Sequence, residues 1–385
     1  GLPAPESAVS EDIETYASIQ LFEQIARRGK PDFQVLETDW QDIIQICKRL
    51  SGHPLGIELA AAWVESLTCS EILSQLEAEK DLASVMPAGI HSNGRNLQSI
   101  LESLWVRFSK TEQDAIVAMT IFRGGFSRNA AQSILGVSLF FLDALVSKSI
   151  LRHSGQDRYI MHEFISQQLV SRLQDIQNEG LTYRDKHSVY YLHRVASARE
   201  MISQAKEKEI FAEFSLEYEN IRTAWNWAIE RENYSSIQAA IKGLFIFFEQ
   251  RGRFKEGKDL FSGLQKQLES LTNESMNLDA RNLYACVMAY IGKFDYHLGD
   301  YCQSQTLLEI ALSNFITLDM RSEIARLFIE LANLKRAQGD YHHARELLSE
   351  SLGYYREIGD QRAEGDILNI LGVIASGVGE IDLAE

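Results

Sequence analysis

Few residue sets in this 385-residue chain have the types and spacing that chemistry demands. Gly252-Arg-Phe-Lys-Glu-Gly257-Lys258-Asp259 has the glycine and lysine spacing of a phosphate-binding loop. Such a loop ends in Ser or Thr, whose hydroxyl meets Mg²⁺, and it follows a strand. Here Asp259 would repel phosphate, and Leu244 to Glu249 has helical character, so the segment reads as a turn between helices. Cys47, Cys69, Cys286 and Cys302 form no C-x-x-C pair and lie near no histidine at zinc-finger spacing. They point to no disulfide framework and no zinc site, and they suit a reducing, cytoplasmic setting. His187 and His193 do not share a helical face. His342 and His343 are adjacent, whereas helical metal pairs stand three or four apart, so they read as part of a solvated turn. No nucleophile is patterned with a base, and no carboxylates pair in a defined setting. The chain alone is therefore expected to be catalytically silent.

The positions that matter must be held by helices. Apolar residues make up 45% of the chain and charged residues 24%, an ordinary globular composition, while the five prolines favour long helices over many short strands. The net charge of −16 argues against broad binding to nucleic-acid phosphates, which needs clustered Lys and Arg. The strongest apolar run, Gly243 to Phe248, stops at Glu249, far short of the ~20 residues that span a bilayer.

The last third is repetitive. Gly299-Asp300-Tyr301, Gly339-Asp340-Tyr341 and Gly379-Glu380-Ile381 recur every 40 residues. Leu327, Leu331 and Leu334 precede one turn, and Leu347, Leu348 and Leu352 follow it. This is a helical hairpin in which Gly makes the turn, Asp caps the second helix and the aromatic packs between the two. Gly252-Arg253-Phe254 is a looser copy. Hairpins of this kind bury their faces only by stacking into a superhelix. The final copy breaks off at Glu385, which implies that the natural protein continues.

The middle reads differently. Leu97, Ile100, Leu101 and Leu104 form one stripe, and Ser109-Lys-Thr-Glu112 is a capping box opening the next helix. Gly124-Gly125 ends it, Ser127 caps a short helix, and Ser138 to Lys148 is another. Two short strands, Ser149 to Arg152 and Arg158 to Met161, flank a polar turn before a helix from His162 to about Gln174. Short helices followed by a β-hairpin is the order of a winged helix. Its third helix offers one cation, Lys148, so it is expected to pack against protein rather than read DNA. Upstream, Ser51-Gly52-His53-Pro54-Leu55 separates two helices, with Pro54 at a helix start where it sacrifices no hydrogen bond.

Four of these segments resemble a known family, the signal-transducing ATPases with numerous domains (STAND proteins), in the branch carrying a winged helix and tetratricopeptide repeats. Ser51-Gly-His-Pro-Leu-Gly-Ile-Glu-Leu-Ala-Ala-Ala62 resembles the family's G-x-P motif. Met161-His162-Glu163 is similar to its M-H-D motif, with Glu in place of Asp. Glu219 to Glu230 resembles the stretch leading to the repeats, and Gly1-Leu-Pro-Ala-Pro5 the segment leaving the nucleotide-binding sheet. His53 and Gly56 depart from the usual pattern, and the phosphate-binding loop would lie before Gly1.

The resemblance implies a mainly α chain, the C-terminal part of a longer protein. It implies residues 1–36 as the tail of a nucleotide-binding domain, 37–92 as a helical domain, 93–178 as a winged helix, 179–275 as a helical linker with a divergent repeat, and 276–385 as tetratricopeptide repeats. By the same resemblance Pro54 packs near the adenine or ribose of ADP, and His162 faces its β-phosphate; read alone, each is a helix-start residue. The full protein would carry ADP or ATP with Mg²⁺ as a slow ATPase switch, with no nucleotide held tightly by this fragment. A protein or small-molecule inducer would bind the repeats, at positions such as Tyr284, Tyr290, Asn333 and Asn369. The full protein would self-associate, regulate transcription or signal, and meet neither DNA nor membrane through this chain. The alternative is a free-standing repeat adaptor without nucleotide.

Overall fold

The computed structural model describes residues 1–5, 13–83, 92–155, 157–174, 179–202, 207–271 and 277–378. It is mainly α-helical, with eighteen α-helices and a small three-stranded sheet among the described residues. The chain divides into two compact units, residues 1–190 and 191–385. The third Gly turn, Gly379 to Ile381, lies outside the described residues.

The first unit opens with α1 (Ala17–Gly29), α2 (Asp39–Arg49), α3 (Pro54–Ala62) and α4 (Cys69–Ala83). α1 packs on α3, and α2 on α4. Their inward faces supply Phe22, Ile43, Ile57, Leu59, Trp63 and Ile72, all essentially fully buried. The N-terminal segment is tied to this group: Leu2 N–H donates to the Gly52 carbonyl at 2.6 Å, and Ser18 Oγ donates to the Pro3 carbonyl at 2.7 Å.

Next come α5 (Ser92–Trp105), α6 (Lys110–Ala118), β1 (Phe126–Ser127), α7 (Arg128–Leu135), α8 (Leu139–Ser147), β2 (Leu151–His153), β3 (Arg158–Met161) and α9 (Glu163–Val170). The capping box forms as expected: Ser109 Oγ accepts from Glu112 N–H, and the Glu112 carboxylate accepts from Ser109 N–H at 2.8 Å. Ser109 Oγ also donates to that carboxylate at 2.8 Å, and this bond foremost, with the backbone one, holds the Glu112 pKa below its ordinary value. Ser127 and Ser138 cap α7 and α8 by the side-chain half of this motif alone, accepting from the N–H groups of Ala130 and Phe141.

The strands run antiparallel in the order β1-β3-β2, with Phe126 opposite Tyr159 and Leu151 opposite Met161. β1 is too short to read from sequence. It pairs because Gly124-Gly125 lets the chain turn tightly against β3. Gly125 has φ +92°, and a Cβ there would sit 2.7 Å from the Tyr159 carbonyl oxygen. The Arg158 guanidinium, buried, donates to the Gly124 carbonyl at 2.9 Å and closes this corner.

α10 (Glu179–Ile202) carries the chain across the division between the units. The second unit contains α11 (Glu207–Glu230), α12 (Tyr234–Gln250), α13 (Phe254–Glu269), α14 (Leu278–Leu298), α15 (Tyr301–Thr317), α16 (Arg321–Ala337), α17 (Tyr341–Ile358) and α18 (Gln361–Val378). Successive helices pack as hairpins, most extensively α14 with α15 and α16 with α17. Gly299 and Gly339 turn at φ +84° and +81°, and Asp300 and Asp340 accept from the N–H groups of Gln303 and His343. The expected aromatic role is corrected here. Tyr301 and Tyr341 are 37% and 45% exposed, so the aromatic is only partly covered and not enclosed by the hairpin, although the Tyr301 ring lies 5.8 Å from that of Tyr296 on α14.

Aromatic rings hold the start of this stack. Phe294 lies 5.0 Å from Phe245, 5.6 Å from Phe261 and 6.2 Å from Phe248, ring centre to ring centre, and all four are buried. The segment with phosphate-loop spacing belongs to this packing. Gly252 is the α12–α13 turn, Gly257 faces Phe248 and Phe294, and Lys258 pairs with the buried Asp295.

Candidate functional site

Pro54 and His162, far apart in sequence, line one cavity of about 550 Å³ in the first unit. Each is placed by a helix start. Ser51 and Gly52 turn the chain with positive φ, at 51° and 63°, and Pro54 occupies the first turn of α3, where no N–H is needed. His162 is the N-cap of α9. Its Nδ1 accepts from the Phe164 backbone N–H at 3.2 Å. An imidazole whose Nδ1 accepts must carry its proton on Nε2 when neutral, so Nε2–H is the ring's remaining donor.

The same cavity is lined by Arg28 from the last turn of α1, Glu58 one turn after Pro54, and Arg152 and His153 from β2. Burial lowers the His162 pKa, and the charge of Arg152 and the nearness of His53 lower it further, against a raising effect of Glu163. The net effect favours the neutral donor form. Burial raises the Glu58 pKa, and the Arg28 and Arg152 guanidinium groups pull it back. Glu58 therefore stands within electrostatic reach of both arginines. His53, which precedes Pro54 but does not line the cavity, has a buried Nδ1 with no hydrogen-bond partner among the described residues.

Two arginines and a ring N–H donor, set against the single carboxylate of Glu58, make this cavity suited to an anionic group bearing several acceptor oxygens. A phosphate chain fits that donor set. Sequence reasoning named Pro54 and His162 but missed Arg28, Arg152 and Glu58. Glu58 had a signal, being the lone charge in an otherwise apolar α3. The arginines had none, since single basic residues at a helix end or in a strand are commonplace.

The second unit has a cleft of about 500 Å³ formed chiefly by α12, α14 and α16. Phe245 and Tyr290 stack at 4.7 Å on its wall. Lys293 Nζ lies 4.5 Å from the Phe245 ring centre and 2.7 Å from the Glu330 carboxylate. Arg326 pairs with Glu323 at 3.3 Å beside it. Of the repeat positions named from sequence, Tyr290 lines this cleft; Tyr284, Asn333 and Asn369 do not. Lys148, the cation expected for this helix, is the C-cap of α8 and sits 3.8 Å from Glu65, while Phe140 is 85% exposed.

No family model matches the chain. It is 26% identical over 263 residues to a candidate HTH-type transcriptional regulator of Mycobacterium tuberculosis, covering 65% of this chain and 29% of that protein. It is 31% identical over 120 residues to an uncharacterised protein of the same species, covering 31% of this chain and 30% of that one. The chain thus spans under a third of the length of the curated relatives it matches. A tetratricopeptide-sensor STAND protein of Pyrococcus horikoshii is 12% identical, with TM-score 0.28, over 94% of this chain and 63% of that chain. BtubC (BKLC) of P. vanneervenii is 13% identical, with TM-score 0.35, over 52% and 69%. At those scores neither structural likeness carries an argument about function. No single described helix is long and apolar enough to cross a membrane.

Proposed function

We propose that this chain is the regulatory and sensing part of a STAND-type nucleotide switch that controls transcription or signalling. The observation that carries the reading is the convergence of Pro54 and His162 on one cavity with Arg28 and Arg152. In this reading the first unit, through its helical and winged-helix portions, caps the phosphates of ADP held by a nucleotide-binding domain. A bound nucleotide supplies the polyphosphate charge, with Mg²⁺ accompanying ATP. Pro54 gives an apolar contact that orders the approach of the sugar or base. His162 donates from Nε2, and Arg28 and Arg152 offset phosphate charge. Because His162 also caps α9, its contact ties ligand occupancy to the start of that helix.

The repeats receive the signal. The cleft of α12, α14 and α16 joins a stacked aromatic wall to paired charges, which suits an amphipathic inducer or a partner segment. Release of ADP and self-association would follow when that ligand favours the open state, since a switch needs each ligand to prefer one state. The candidate-regulator relative supports the transcriptional branch of this reading. The chain itself performs no catalysis.

The test is nucleotide retention by the full natural protein. His162→Asn keeps a capping side chain but removes the ring donor, and Arg152→Ala removes a cation. Both should speed ADP release, and the first should raise basal output. An unchanged ADP off-rate in both would refute the nucleotide reading and leave an adaptor that takes its partner at the repeat cleft.

A further inference from the structure

The geometry points to a metal site at the start of α17, made by His342, His343 and Glu346, for a divalent transition ion of the zinc class. Sequence spacing argues against it, because neighbouring residues on a helix interior diverge. At the first turn the constraint is relaxed. The two imidazole rings lie 5.7 Å apart, and one ligand atom from each of the three residues falls within 4.8 Å of the others. His342 Nδ1 already stands 3.6 Å from a Glu346 carboxylate oxygen, across one helical turn. Two ligands on one zinc ion stand roughly 3.3 Å apart, given metal–ligand bonds near 2.0–2.1 Å. All three side chains are exposed, so a rotamer adjustment closes the remaining gap.

A fourth residue orients the site. Asp340 Oδ2 lies 2.6 Å from His343 Nδ1. A carboxylate on one imidazole nitrogen fixes the tautomer and leaves Nε2 as the metal ligand, the usual outer contact of zinc histidines. Two nitrogen donors and one carboxylate favour zinc, nickel or copper over magnesium and calcium, which prefer all-oxygen shells. Water completes the coordination. The positive end of the α17 dipole opposes a cation, and the Asp340 and Glu346 carboxylates offset it.

The repeat does not explain these residues. Forty residues earlier the same turn, Gly299-Asp300-Tyr301, is followed by Cys302, Gln303 and Thr306 where this one has His342, His343 and Glu346. The earlier helix, α15, forms and packs without them. Asp340, Ala344 and Leu348 serve the hairpin; the histidines and Glu346 are free to serve something else.

Zinc chloride titrated calorimetrically into the 385-residue chain, with cobalt absorption as a second readout, tests this. One equivalent should bind, with visible cobalt bands of a low-coordinate nitrogen–oxygen site. His342→Ala, His343→Ala and Glu346→Gln should each weaken binding at least about tenfold. Asp340→Asn keeps the helix cap and should weaken binding about tenfold, the scale of lost outer contacts. Circular dichroism unchanged from the parent establishes that each variant is folded. No binding below about 100 µM zinc would overturn the proposal, and so would binding that survives all four substitutions.

Discussion

Gly257→Ala and Gly263→Ala make the same chemical change on one helix and should act in opposite directions. Both residues lie in the interior of α13, neither has a positive φ, and alanine favours a helix by about 1 kcal/mol over glycine at such positions. A Cβ at Gly263 meets nothing within 4 Å. A Cβ at Gly257 would lie 2.5 Å from Phe294 Cζ and 2.9 Å from Phe248 Cγ. Ordinary contact would need a shift approaching 1 Å, and the Phe294 ring is enclosed by Phe245, Phe248 and Phe261, so it has nowhere to retreat. Overpacking of this kind costs about 1–3 kcal/mol, and here the upper end applies. Gly263→Ala should therefore stabilise by about 1 kcal/mol and Gly257→Ala destabilise by about 2, combining the propensity and packing effects. The helix-propensity effect cancels in the difference between the variants, leaving packing alone. Native-state amide exchange over residues 254–298 reads this locally, without assuming that the whole chain unfolds as one. Variants equal within about 0.5 kcal/mol would refute the packing argument, since that is the resolution of such comparisons.

Other outcomes follow from buried charge, caps, protonation and exposure. Lys258→Met should destabilise by about 3 kcal/mol in urea unfolding, because it strands the buried Asp295 carboxylate; Lys258→Met together with Asp295→Asn should recover much of that, and no recovery would count against the ion pair. Ser109→Ala should cost about 1 kcal/mol in the stability of the first unit, and a neutral result would mean that the capping box contributes nothing. The depressed His162 pKa means that between its folded value and the ordinary value of about 6.5 the unfolded chain holds more protons, so stability falls as pH drops through that window. His162→Asn should flatten that part of the stability profile, and an unaltered slope would show that the ring is not the group responsible. Burial pushes the Cys47 and Cys69 thiols up to about 12, so iodoacetamide at pH 8 should modify exposed Cys302 first and leave those two intact in the folded chain. Mass spectrometry showing Cys47 labelled as fast as Cys302 would contradict the packing around α1 and α2.

The helices were legible where local chemistry decides them. Ser109, Ser127 and Ser138 announce their helices by side-chain caps, and the Gly299 and Gly339 turns by the need for positive φ. β1 was not legible, because two residues have no periodicity and their pairing is set by the Gly125 approach to Tyr159. The partial exposure of Tyr301 and Tyr341 also escaped, since a turn motif fixes the backbone but not how much of the ring is covered. At the candidate site, Pro54 and His162 were found by motif, whereas Arg28 and Arg152 reach the cavity only through the packing of α1 and β2 in the same unit.

The forty-residue turn has an evolutionary corollary. Gly299-Asp300 and Gly339-Asp340 close their hairpins with residues taken entirely from within about one repeat: the glycine's backbone, the aspartate's own carboxylate and the next helix's N–H groups. Each seam is therefore self-sufficient, and a gene segment copied in tandem at that period arrives with its own punctuation. Such an array can gain or lose whole hairpins by recombination and then vary one copy at a time, and here Cys302, Gln303 and Thr306 differ from His342, His343 and Glu346 at the matching places. Novel surface chemistry can thus accumulate in a single hairpin while its neighbours keep the stack intact.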